Sequence, residues 1–113
     1  MRIDDWRRKI DAIDTAMLHL LNLRAELALE VGRMKSEEGV PLRSPNREQE
    51  ILSRVRAANP GPLDEETITK IYQLILDESI RTQTRFGYSA QPSPDPTGTR
   101  DGRRARSGRT TRR

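Results

Sequence analysis

One amphipathic helix, too long for the rest of its chain to cover, constrains this sequence more than any other feature. Steps of three and four residues from the start of the chain meet Ile3, Trp6, Ile10, Ile13, Met17, Leu20, Arg24, Leu27, Val31 and Met34. Every one of these except Arg24 is apolar, which is the spacing of one stripe along an α-helix. The pattern predicts a helix from about Asp4 to about Lys35, with Asp4 and Asp5 favourably placed at its positive end. About 32 residues at 1.5 Å rise extend roughly 48 Å.

Two shorter helices follow. The stretch EEGVPLRSPN (residues 37–46) breaks the first helix with Gly39, Pro41 and Pro45. Ser44-Pro45 then reads as an N-cap followed by proline in the first helical position. This second helix runs to about Ala58, with Ile51, Leu52 and Val55 as its apolar face. NPGP (residues 59–62) is the next break, and Asp64 caps a third helix that ends near Phe86. Leu63 and Ile68 stand at the spacing of a hydrophobic staple. The second and third helices should be roughly 20 Å and 34 Å long. Neither covers a 48 Å stripe, and strand signals are absent. The expected fold is all-α, three helices per chain, interlocked with a second copy as an intertwined homodimer. A coiled-coil pairing is the related alternative.

Composition supports a partner. Of 113 residues, 33% are hydrophobic and 34% charged, so an isolated core would be thin. There is no cysteine, which excludes disulfides and thiolate zinc sites and fits a reducing compartment. The N-terminal MRIDDWRRK lacks the apolar core of a signal peptide, and no apolar run approaches the ~20 residues that span a bilayer. A cytoplasmic protein is the expectation.

The formal net charge of +4 belongs to the C-terminal end. Residues 88–113 carry seven arginines against Asp95 and Asp101, whereas residues 1–87 carry 14 basic and 15 acidic side chains. The division expected is therefore a domain over 1–87 and a disordered, arginine-rich tail over 88–113. The domain itself is not a nucleic-acid surface on charge grounds. The tail has no interleaved aromatics, and Tyr88 alone is no stacking platform.

Polar residues interrupt the apolar faces. Lys35 lies 11 residues beyond Arg24, close to three whole turns, so both cations point to one side of the first helix. Arg7 is about 100° away around that helix and addresses a different surface. The third helix reads Ile68, Tyr72, Ile75, then Ser79 and Gln83, then Phe86. The second adds Arg47 and Glu48 just inside its start. Gly32 is an interior glycine, costing ~1 kcal/mol against alanine. It is either tolerated or required by the close approach of another group.

Two readings of these polar interruptions stand level: a pocket for a small anion, and an internal salt-bridge network in which Arg24 pairs with Glu48 or Asp77. The available chemistry is narrow. His19, the only histidine, reads as an ordinary partly exposed residue. There is no serine–histidine arrangement, metal-ligand cluster or phosphate-binding glycine loop. A pocket rich in cations and poor in nucleophiles suits holding a carboxylate-bearing molecule and stabilising charge that develops within it.

The segments WRRKIDAID, LLNLRAELALEVGRMK, PLRSPNREQEIL and ITKIYQLILDESIRTQ resemble, in order and with fitting gaps, the all-helical AroQ-class chorismate mutases. The resemblance spans about residues 3–86. It implies an intertwined dimer that rearranges chorismate to prephenate, in phenylalanine and tyrosine biosynthesis, with no cofactor or metal. By the same resemblance, Arg24 binds a substrate carboxylate and Arg7 reaches a carboxylate in the partner's site. Lys35 and Gln83 hydrogen-bond the ether oxygen, Glu48 holds the ring hydroxyl, and Arg47 and Ser79 add polar contacts. Ser44 stands where the family often has an aspartate, so its part in hydroxyl binding is weaker.

Two other functions fit parts of the sequence. One is an isochorismate-pyruvate lyase on the same fold, which needs similar carboxylate-binding cations. The other is a helical binding module whose basic tail holds nucleic acid. A partner enzyme from the same pathway suits stand-alone domains of this kind, and nothing in the sequence identifies one.

Overall fold

The computed structural model describes residues 1–88, and these form three α-helices: α1 (Ile3–Glu38), α2 (Pro45–Ala58) and α3 (Glu65–Arg85). The expected arginine-rich tail lies, apart from Tyr88, outside the described residues. No helix among those described is long and apolar enough to cross a membrane.

Local chemistry sets each helix end. At the start of α1 the Asp5 carboxylate accepts a hydrogen bond from the Arg2 backbone N–H at 2.8 Å. Gly39, at φ 72°, terminates the helix. Its N–H donates to the Ser36 carbonyl and the Val40 N–H to the Lys35 carbonyl, the paired bonds of a Schellman stop, which needs a left-handed residue. The helix thus runs three residues past the expected end at Lys35. The stop is set by the glycine, not by the last apolar residue of the stripe. Ser44 caps α2, its hydroxyl accepting from the Arg47 N–H at 3.4 Å, with Pro45 in the first turn. Asp64 caps α3, accepting from the Thr67 N–H at 2.8 Å. The Thr67 hydroxyl and N–H hold the Asp64 carboxyl below its ordinary pKa.

α3 is the middle element: α1 packs on it, α2 packs on it, and α1 and α2 do not pack on each other. The molecule is 67 Å long but only 14 Å through its thinnest direction, little more than one helix with its side chains, about 10–12 Å. A single layer buries little. The buried apolar residues are Leu42 in the α1–α2 turn, Ile51 and Leu52 on α2, and Leu76 on α3; the last three form one cluster, with Val55 and Tyr72 packed against it. The face expected for α2 is the buried one. On α3 the expected face omitted Leu76, the one buried apolar side chain of that helix, and included Phe86, which is 60% exposed. A Leu76→Ala substitution is expected to destabilise the chain by about 2–5 kcal/mol, as large-to-small core changes do. Urea denaturation at fixed protein concentration measures it.

The stripe of α1 is open. All nine of its apolar residues are exposed, from Val31 at 48% to Ile3 at 68%, while Arg24, the one charged residue in the series, is half-buried. The face of α1 that meets α3 is rotated from the stripe and uses only the second half of the helix. It consists of Arg24, Ala25, Ala28, Leu29, Gly32, Lys35 and Ser36, all buried or half-buried. Most of these are small, which lets the two helices come close.

Candidate active site

The seam between α1 and α3 collects the polar residues that interrupted the two apolar patterns. The Arg24 guanidinium donates to the Ser79 hydroxyl at 2.9 Å, and that hydroxyl donates in turn to the Ile75 carbonyl one turn earlier, also at 2.9 Å. One turn further along α3, the Gln83 amide Nε2 donates to the Ala28 carbonyl at 2.6 Å. Gln83 is only 5% exposed, the one buried polar side chain among the described residues. Its Oε1 is buried and has no hydrogen-bond partner.

The turn after α1 folds back over the end of the same seam. Lys35 donates from Nζ to the Leu42 carbonyl at 2.9 Å, and the Leu42 side chain is buried at 2% exposure. Next in the chain, Arg43 donates from Nε to Glu48 at 2.7 Å and pairs with Asp77 through its other arm. One three-residue segment, Leu42-Arg43-Ser44, therefore ties α1, α2 and α3 together. The two carboxylates hold the Arg43 pKa above its ordinary value, Glu48 contributing most. Arg43 in turn, with help from Gln73, holds the Asp77 carboxyl below the usual carboxylate range. With its pKa depressed, Asp77 stays ionised as pH falls through that range, and the link is lost only below it.

The salt-bridge reading of the sequence fails on this geometry. Glu48 and Asp77, the acids offered as partners for Arg24, are both engaged by Arg43 instead. Glu78 lies near Arg24 but pairs with Arg81 at 3.0 Å. Neither Arg24 nor Lys35 has a carboxylate partner among the described residues. Arg24 and Ser79 line a hollow of about 290 Å³ between α1 and α3, walled by Leu21, Leu74 and Ile75. This volume is near the lower end for small-molecule sites, about 300 Å³. Glu78 also lines the hollow, but it is paired with Arg81, and Arg24, half-buried there without a carboxylate partner among the described residues, favours an anionic ligand.

The other expected site residues divide. Glu48 is largely buried, its side chain 16% exposed, at the turn end of the seam. Ser44 is occupied as the α2 cap. Arg47 is exposed and pairs with Glu50 on its own helix. Arg7 is exposed, 3.7 Å from Asp4. It stands 17 residues from Arg24 along α1, about 25 Å, so within one chain it does not join the seam. His19 is exposed. Sequence reasoning missed Arg43: it lies in a turn, outside any periodic face, and only its position directly before the Ser44-Pro45 cap drew attention to that segment.

Known proteins are similar to this chain across its three helices. A family model described as chorismate mutase type II matches residues 6–84. The bifunctional chorismate mutase/prephenate dehydratase of Escherichia coli (strain K12) is 41% identical over 78 residues, which are 68% of this chain and 20% of that protein. The chain thus spans about a fifth of the length of that relative. The chorismate mutase of Methanocaldococcus jannaschii is 31% identical over 86 residues, covering 75% of this chain and 87% of that one. Among solved structures, form II of the chorismate mutase from Thermus thermophilus superposes with a TM-score of 0.73 at 38% identity, covering 75% of this chain and 97% of the other.

Proposed function

Since the chain belongs to the type II chorismate mutase family, we propose that it rearranges chorismate to prephenate, and that it does so as a homodimer. One observation carries the reading: Arg24 and Lys35, on the α1 face that meets α3, have no carboxylate partner among the described residues, while Glu48 and Asp77 are held by Arg43 and Glu78 by Arg81. A dicarboxylate completes such a site.

The roles follow from the chemistry of the step. Chorismate carries two carboxylates and must fold into a compact conformer before its C–O bond breaks and its new C–C bond forms. Arg24 grips one carboxylate, and its planar fork, already oriented by Ser79, matches that group. Arg7 of a second copy grips the other, since its own chain offers it no route to the seam. Holding both ends selects the reactive conformer and lowers the entropic part of the barrier. Negative charge builds on the ether oxygen as the C–O bond breaks. The Lys35 ammonium and the remaining N–H of the Gln83 amide meet that charge, and they stabilise the transition state more than the substrate. Glu48, held by Arg43, accepts from the ring hydroxyl. Arg47 and Ser44 border the turn side of the site and are secondary contacts.

The exposed stripe supports the dimer. Nine large apolar side chains on one helix form a patch beyond what a monomeric surface normally leaves open. Purified protein incubated with chorismate, and separately with isochorismate, with products separated by chromatography, tests the activity. Prephenate is expected, without added metal. Folded protein that leaves chorismate at its spontaneous rate of decay sinks the reading, and pyruvate released from isochorismate would move it to the lyase reaction.

A further inference from the structure

The interior glycine of α1 has a specific neighbour. Gly32 is buried, and the Gln83 side chain crosses directly over it. A Cβ built at residue 32 falls 2.8 Å from Gln83 Cγ, 3.0 Å from Cδ and 3.2 Å from Nε2. These are distances that real Cβ atoms avoid, and two of the three atoms belong to the middle of the side chain, which cannot swing aside as a flexible tip can. The backbone at Gly32 is helical, so nothing in its own conformation calls for glycine. Helix propensity favours alanine there. What glycine supplies is space for one amide.

That amide is framed on two sides. Gly32 lies beneath it and the Ala28 carbonyl, one turn upstream, accepts from Nε2 at 2.6 Å. Its Oε1 meanwhile stays buried with no partner, a state that is costly when nothing is gained by it. A buried amide kept half-satisfied, in a gap that only glycine leaves, is an amide held in position for something else. We propose that Gly32 is a positioning residue: it admits Gln83 to the α1–α3 seam and sets where the Gln83 amide points, and alanine at residue 32 would displace that amide. The catalytic consequence rests on the chorismate reading above, while the contact itself does not.

A double-mutant cycle separates the two. Gly32→Ala is expected to lower kcat by about 10–10²-fold, the scale for an ångström of misplacement, with a smaller change in KM because Arg24 is untouched. Added to Gln83→Ala, the same substitution should cost no further activity, because no amide remains to be displaced. Melting temperatures form a parallel cycle that needs no substrate. Gly32→Ala should be more favourable to the melting temperature in the Gln83→Ala protein than in the wild type. Should Gly32→Ala alone fail to fold, the double variant should fold. The proposal is overturned if Gly32→Ala keeps wild-type kcat, if it costs the same factor in both backgrounds, or if the two melting-temperature changes are equal. A wild-type protein that leaves chorismate untouched sinks the functional reading instead, and the melting cycle then still decides whether Gly32 frames Gln83.

Discussion

Lys35→Ala is expected to lower kcat by about 10²–10³-fold, the loss seen when one charge-stabilising donor is removed from an active site, while KM changes little. The ammonium gains most from the negative charge that appears on the ether oxygen in the transition state, so its removal falls on turnover. The structure bounds the side effects. Lys35 makes one described hydrogen bond, to the Leu42 carbonyl at 2.9 Å, and its side chain is half-buried. Losing that bond costs about 1 kcal/mol, so helical content should be unchanged. Arg24→Ala should behave differently, raising KM as well, because a carboxylate grip is made in the bound substrate and in the transition state alike. Steady-state kinetics on both variants make the comparison. Wild-type turnover in Lys35→Ala would remove Lys35 from the mechanism.

Ile13→Glu is expected to abolish assembly and activity together. In the single chain Ile13 is 59% exposed and lies on the half of α1 that touches neither α2 nor α3. If the stripe faced water, a charge there would change stability by no more than about 0.5 kcal/mol. If the stripe is covered by a second copy, each assembly buries two such charges, at several kcal/mol each. The wild type should have twice the 13.0 kDa chain mass by light scattering, and the variant the mass of one chain. Activity should vanish with the dimer, because Arg7 is then no longer delivered to the partner's seam. Helical content should fall too, since the first half of α1, left alone in water, is marginal at that length. A variant with the wild-type mass and turnover would show that the stripe is not the assembly surface.

The helix boundaries that rest on local chemistry were legible in the sequence. Ser44-Pro45 and Asp64 cap the helices they were expected to cap, because a capping bond joins residues three apart. The end of α1 was misjudged for a related reason: the apolar stripe stops at Met34, but the helix continues to the residue before Gly39, where the backbone can turn left-handed. Leu76 and Phe86 were misjudged because a step of three or four follows one line along a helix, whereas a packed face is wider than a line.

The candidate site was legible in part. Arg24, Ser79 and Gln83 stood out as breaks in apolar patterns, and the structure brings α1 and α3 together where those breaks lie. Arg43 was invisible, because a turn residue has no period to break. The acids it holds, Glu48 and Asp77, therefore stood as partners for Arg24 in one of the two level readings.

By itself, the sequence determined that the chain is all-α, where its second and third helices start, that its longest helix outruns its own core, and which polar residues stand out of pattern. Periodicity and capping act within a few residues, so one chain read in order contains them. The tertiary structure alone decided which face of α1 meets α3, that Arg24 bonds a hydroxyl and no acid of its own chain among the described residues, that Arg43 takes Glu48 and Asp77, and that Gln83 crosses over Gly32. Each of these depends on atoms brought within about 3 Å of each other by the fold, and most of them lie tens of residues apart in the chain. The stripe looked like a core face because apolar spacing reports that a surface is to be covered, without reporting by what.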